Sequence, residues 1–195
     1  MRGLRVGYLK SAFDAEHGTK AQDDAVLTAL RGLGINLIPV EFEKNYPVGP
    51  LTIVLSAEAG AAFEELTLSG RDDLMKRQTD NAWPNVFRQA QLIPAVAYIQ
   101  ANRIRTLLIE ETERALRDID VLVTPSFGGD VLTRTNLTGH PTVVVPSGFN
   151  DRGSPVSISF VGRLWREAPL ITLAKAYQEA TGHHRKVPPL FAPEA

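Results

Sequence analysis

Apolar residues recur along this chain at two spacings, and their alternation predicts an α/β fold. Residues 4–9 and 35–40 are short apolar runs that read as strands. Between them Val26, Leu27, Leu30 and Leu33 share one face of a helix that starts after Thr19 and is closed by Gly32 and Gly34. Such a β–α–β unit predicts two parallel neighbours in one sheet. A Tyr46-Pro-Val-Gly-Pro50 connector follows. Residues 51–68 predict a helix, 69–81 a polar loop with one helical turn, and 84–117 a long helix broken before Pro94. Residues 119–123 form a compact apolar run read as a strand, whereas 136–146 read as a loop around the short run Val143-Val144-Val145. From 156 to 161 apolar residues alternate with serines, which places the serines on one face of a strand. The last helix, 167–181, carries Leu170, Leu173, Ala174 and Tyr177 at helical spacing, and the proline-rich tail from Val187 predicts irregular chain.

Length and composition narrow the classes. At 195 residues the chain fits a single domain, read here as a β–α–β unit over 1–45, a mainly helical stretch over 46–118, and C-terminal strands and a helix over 119–195. With 44% hydrophobic residues it can bury a core. Lys and Arg number 21 against 22 Asp and Glu. That balance offers no broad basic surface, so neither nucleic acid nor membrane is expected as a partner. The absence of cysteine excludes disulfides, thiolate catalysis and cysteine-based metal sites. No metal or organic cofactor is expected. There is neither a signal-peptide pattern nor an apolar run of membrane-spanning length, and a cytoplasmic location follows as the expectation.

Familiar catalytic signatures do not occur. The sequence holds no Gly-x-Ser-x-Gly elbow, Ser-x-x-Lys pair, phosphate loop or His-Glu-x-x-His helix. Gly32-x-Gly34 begins like a dinucleotide fingerprint, but Leu37 stands where the third glycine belongs, and the pair closes a helix instead of opening one. Glu110, Glu111 and Glu113 beside Arg114 and Arg117 could serve acid–base chemistry; a solvated, charge-laced helix face is the expected reading. His140, between Gly139 and Pro141, has either a pocket role or a purely local one. The small-residue stretches 124–129 and 136–141 lie beside apolar strands, where binding sites are commonly built and where plain turns are equally common.

Three stretches carry a family resemblance: Asp120-Val-Leu-Val-Thr-Pro125, Thr135-Asn-Leu-Thr-Gly-His-Pro-Thr-Val-Val-Val-Pro-Ser-Gly-Phe149 and Gly153-Ser-Pro-Val-Ser-Ile-Ser-Phe-Val-Gly162. Together they closely resemble the C-terminal end of amidase-signature hydrolases, the group that includes amidases and the amidase-like subunits of amidotransferases. Leu173-Ala-Lys-Ala-Tyr-Gln-Glu-Ala-Thr-Gly-His183 looks like that family's final helix. Trp83-Pro-Asn-Val-Phe-Arg88 and Ile93-Pro-Ala-Val-Ala-Tyr-Ile-Gln-Ala-Asn-Arg103 resemble its helical region, and Leu4-Arg-Val-Gly7 matches the strand after its catalytic core. The resemblance implies a mixed β-sheet flanked by helices, and an ancestral reaction that breaks carbon–nitrogen amide bonds. In the family a serine nucleophile, a second serine held by a cis peptide and a lysine carry that reaction through an acyl-enzyme. This sequence contains no Gly-Ser-Ser-Gly and no adjacent serines, and none of its six lysines sits in the family's lysine context. No catalytic residue is therefore carried over. The resemblance instead implies that Ser126, Phe127, Asn136, Thr138 and His140 approach the mouth of a substrate pocket, with Gly139 and Pro141 setting the backbone path. It also implies that strands supplied elsewhere in the family are absent, leaving a sheet edge or an apolar face exposed.

Two readings follow. In the first, the chain is a catalytically incomplete amidase-family polypeptide, inactive alone or complemented by an N-terminal amidase half that brings the serines and lysine to a small amide substrate. In the second it is a non-catalytic binding or assembly module derived from an amidase, associating with itself.

Overall fold

In the computed structural model, which describes residues 3–187, the apolar runs pair into one mixed five-stranded sheet. In chain order the regular elements begin with β1 (Val6–Leu9), α1 (Lys10–Asp14), α2 (Lys20–Gly32) and β2 (Leu37–Val40). A helical stretch follows: α3 (Ile53–Ala62), α4 (Glu64–Leu68), α5 (Trp83–Ala90) and α6 (Ala95–Leu116). The chain then forms β3 (Val121–Pro125), α7 (Val131–Thr138), β4 (Thr142–Phe149), β5 (Pro155–Gly162) and α8 (Glu167–Thr181). The strand order is β2-β1-β3-β5-β4. β1 runs parallel to β2 and β3, as the β–α–β spacing requires, while β5 is antiparallel to both β3 and β4.

The chain divides into two compact units. The first comprises Met1–Glu43 and Glu111–Ala195 and holds the whole sheet; the second, Lys44–Glu110, is helical. In the sheet unit, successive residues alternate between two covered faces. Val6, Val121, Val123, Ile158 and Phe160 pack with Leu27 and Leu30 of α2 and Leu170, Leu173 and Tyr177 of α8. Leu9, Leu122 and Val161 pack on the other face with Leu116, Ile119 and Val131. Burial on both sides explains why β3 reads as a continuous apolar run instead of an alternating one. In the helical unit Phe63, Phe87 and Trp83 stack in sequence, with ring centroids 4.7 and 5.5 Å apart.

The two outer strands are managed differently. β2 carries Pro39, which has no N–H to offer along an open edge. β4 carries Pro146 and slips register between Pro146 and Gly148, yet Val144 is left 57% exposed. That is the exposed edge anticipated for a sheet of this family.

Several expectations are corrected. The loop expected over 136–146 is instead the end of α7 and most of β4, so Asn136 and Thr138 sit on a helix. The helix over 51–68 is interrupted at Phe63. Glu111 does not belong to a solvated face: it is buried and paired with Arg134, because α6 passes beneath α7 at that point. The tail beyond Val187 lies outside the described residues. No helix among the described residues is long and apolar enough to cross a membrane.

Candidate functional site

At its carboxyl end β3 runs from a fully buried segment into the small-residue stretch Ser126-Phe-Gly-Gly129. The Gly128 N–H donates to the Pro125 carbonyl at 3.0 Å, closing a tight turn that leaves Phe127 86% exposed at the surface. Ser157 and Ser159, which alternate along β5 on one face of the sheet, each place Oγ 3.0 Å from Ser126 Oγ. Three hydroxyls from two strands thus converge on one point.

Two cavities share this wall. The first, about 450 Å³, opens between the Ser126–Gly129 turn, the start of β5 and the segment Ala15–Thr19 after α1. The second, about 340 Å³, lies on the β4–β5 face under α7, bounded by Leu132, Asn136, His140 and Val144. Ser126, Phe127 and Ser157 line both, and Ser159 lines the second. A crevice outside the carboxyl ends of parallel strands is where open α/β sheets commonly bind ligands.

Four of the five residues anticipated from the sequence, Ser126, Phe127, Asn136 and His140, line the second cavity. Thr138 does not. Its hydroxyl donates to the Arg134 carbonyl at 2.8 Å and lies 2.7 Å from His140 Nδ1, so it holds the ring from behind. Because the Thr138 proton is committed to the carbonyl, His140 Nδ1 is the donor of that pair. Gly139 makes the arrangement by adopting φ 76°, which ends α7 in a left-handed turn and swings His140 under the helix. Asn136 spends its amide N–H on the Leu132 carbonyl at 2.8 Å, within its own helix.

Burial pulls the His140 pKa below its ordinary value, although Glu113 opposes the shift. His140 Nε2 lies 3.4 Å from Glu113 Oε1, an ion-pair distance without hydrogen-bond geometry. Burial pushes the Glu113 carboxyl upward, but the Leu164 N–H at 2.8 Å and the Arg163 guanidinium together hold it below the ordinary carboxylate range. The imidazole is therefore neutral near pH 7 and its partner is ionised.

Sequence reasoning missed a second histidine. His17 lines the first cavity, with Nδ1 2.8 Å from the Ala15 carbonyl and Nε2 2.8 Å from Asp23 Oδ2. Both partners only accept, so both ring nitrogens donate and the protonated form is favoured. The Asp23 hydrogen bond raises the His17 pKa despite burial. Thr19 also donates to Asp23 at 2.8 Å. The sequence signal was the Thr19/Asp23 pair, four apart at a helix start and just beyond the histidine.

Among the described residues no Asp, Glu, Lys or Arg side chain lines either cavity, and Ser126 Oγ is bonded to hydroxyls and to no histidine or lysine. A hydroxyl without an adjacent base keeps its ordinary weak nucleophilicity. The arrangement can bind and orient a polar ligand; it does not by itself assemble an attacking group. No group of three or more His, Asp or Glu among the described residues could hold a metal ion.

No family model matches the chain. Curated relatives match over nearly all of it. The amidase-like (A-type) chain of glutamyl-tRNA(Gln) amidotransferase from Microcystis aeruginosa is 33% identical over 96% of this chain, and its counterpart from Halorhodospira halophila is 29% identical over 98%. The chain spans about half the length of these relatives, 47% and 48%. Among solved structures, native peptide amidase from Stenotrophomonas maltophilia superposes with a TM-score of 0.76 at 24% identity, covering 94% of this chain and 44% of that one. A bacterial aryl acylamidase of the amidase-signature family superposes with a TM-score of 0.73 at 15% identity, over 94% and 45%. This chain belongs to the amidase-signature family and corresponds to its C-terminal part. Its mixed sheet flanked by helices is the C-terminal portion of the amidase-signature fold.

Proposed function

We propose that this chain supplies the substrate-facing walls of an amidase site whose nucleophilic serine, second serine and lysine come from a segment this sequence does not contain. The observation that carries the reading is the paired cavity at the end of β3: it is lined with hydroxyls, a neutral imidazole and apolar groups, but with no lysine and no activated serine among the described residues. Ser126, Phe127, Asn136 and His140 then contact substrate, and Thr138 positions His140. An N-terminal amidase half is the partner, and a small amide is the substrate. The reaction would be carbon–nitrogen bond hydrolysis through an acyl-enzyme, with these walls orienting the amide for attack. Purified alone, the chain releases no ammonia from simple amides. Turnover by the chain alone that one serine-to-alanine change abolishes would contradict the proposal, because it would reveal a rewired nucleophile here.

A second reading, a non-catalytic module that associates with itself, has one observation in its favour: β4 is an outer strand with Val144 turned to solvent. Light scattering separates the two. A stable dimer dissociated by Val144→Lys supports the module, and a monomer supports the half-site.

A further inference from the structure

Ser126, Ser157 and Ser159 have three hydroxyl protons and share two hydrogen bonds, both at 3.0 Å and both meeting at Ser126. Whichever way those two are directed, one O–H remains uncommitted. All three side chains line the second cavity, and two of them line the first as well, so the remaining proton faces a space open to ligand. A donor in that position calls for an acceptor oxygen.

The surroundings restrict what can carry the oxygen. Phe127, Pro125 and Val156 border the first cavity, and Leu132 and Val144 the second. No carboxylate lines either cavity to receive an ammonium, and no lysine or arginine lines them to receive a carboxylate, among the described residues. The single cation bordering them, His17, has both ring nitrogens held by the Ala15 carbonyl and by Asp23, which matches its charge. A charged ligand group would therefore lose hydration without gaining a counter-charge. We propose that the Ser126–Ser157–Ser159 trio is a binding subsite for an uncharged carbonyl group beside an apolar substituent, and that it discriminates against ligands carrying an ammonium or a carboxylate. The inference deepens the proposed function and rests on it for the choice of an amide as the carbonyl compound.

Three probes of nearly equal shape test it on the intact chain at pH 7: phenylacetamide, phenylacetate and 2-phenylethylammonium, each titrated by NMR or calorimetry. Phenylacetamide is expected to bind at least tenfold more tightly than either charged probe. Ser126→Ala, a change at a partly exposed turn, weakens the amide about 2- to 12-fold, the equivalent of one hydrogen bond of about 0.5–1.5 kcal/mol. Leu132 is 52% exposed, so Leu132→Asp leaves the core intact while placing a carboxylate at the second cavity. That variant should raise affinity for 2-phenylethylammonium at least fivefold. Equal binding of all three probes, no binding of any, or an amide affinity indifferent to Ser126→Ala would overturn the subsite. Binding needs no turnover, so the two proposals fail separately. The expected order of affinities without ammonia release in a reconstituted complex would sink the amidase reading alone. Turnover without that order would sink the subsite alone.

Discussion

Replacing Arg134 with methionine strikes the polar network that fixes α7 against the sheet unit. The Arg134 side chain is 1% exposed and that of Glu111 0%, with Nη1 3.2 Å from Glu111 Oε1. The guanidinium also donates to the Thr112 hydroxyl at 3.4 Å and the Glu43 carbonyl at 3.4 Å, and stands 4.5 Å from the centre of the Phe42 ring. Its contact with Asp130 is discounted, because that carboxylate is 43% exposed and screened by water. Methionine fills similar space but leaves the Glu111 carboxylate buried with no counter-charge. Breaking one side of a buried pair costs about 3–5 kcal/mol. For a chain of this size each kcal/mol corresponds to about 2–4 °C, so the melting temperature should fall by about 6–20 °C. Urea and thermal unfolding followed by circular dichroism measure both. Glu111 Oε2 and Arg134 Nε have no hydrogen-bond partner among the described residues, so the pair is imperfectly satisfied. A Glu111→Leu/Arg134→Met double variant should therefore return to within about 1 kcal/mol of the parent. A single variant that loses less than about 1 kcal/mol, or a double no more stable than the single, would refute the reasoning.

Two further perturbations test other parts of the structure. The His17 pKa is raised in the folded state by Asp23, so this pair stabilises fully below the unfolded value of about 6.5 and loses that contribution as pH rises through the folded one. His140, lowered by burial, acts in the opposite sense and in a separate window, below about 6.5. Unfolding of the parent and of His17→Gln between pH 5.5 and 8.5 should show their stability difference shrinking as pH rises above about 6.5; a constant difference would contradict the assignment. In the helical unit, Gly60 of α3 packs against Ala90 of α5 so closely that an added Cβ would collide with the alanine methyl. Gly60→Ala should thus destabilise by about 1–3 kcal/mol. Gly32→Ala, at the open end of α2, should be neutral or stabilise by up to about 1 kcal/mol in the same denaturation assay.

What the sequence disclosed was local. The first β–α–β unit was legible because strand, helix and closing glycines lie within forty residues, and α8 was found at its observed bounds from its spacing alone. α7 was not. It has eight residues, three of them threonine, and Asp130 at its N-cap makes no capping bond, turning instead to Arg134. A tertiary ion pair holds that helix, and the pairing of Glu111 with Arg134 spans 23 positions that no periodicity connects. β4 read as loop because Pro146 and Gly148 interrupt it, and its pairing with β5 overrides their poor strand preference. The site shows the same division. Ser157 and Ser159 were visible as the polar face of an alternating strand, but their meeting with Ser126, 31 and 33 positions away, exists only in the folded sheet.

Co-expression with the N-terminal half of an amidase-signature relative, followed by purification and an ammonia-release assay on a neutral amide, tests the central claim most directly. The account predicts a stable complex that turns over and loses activity when the nucleophilic serine of the added half is changed, with the present chain inactive by itself. A complex that forms and stays silent, or no complex at all, would contradict it.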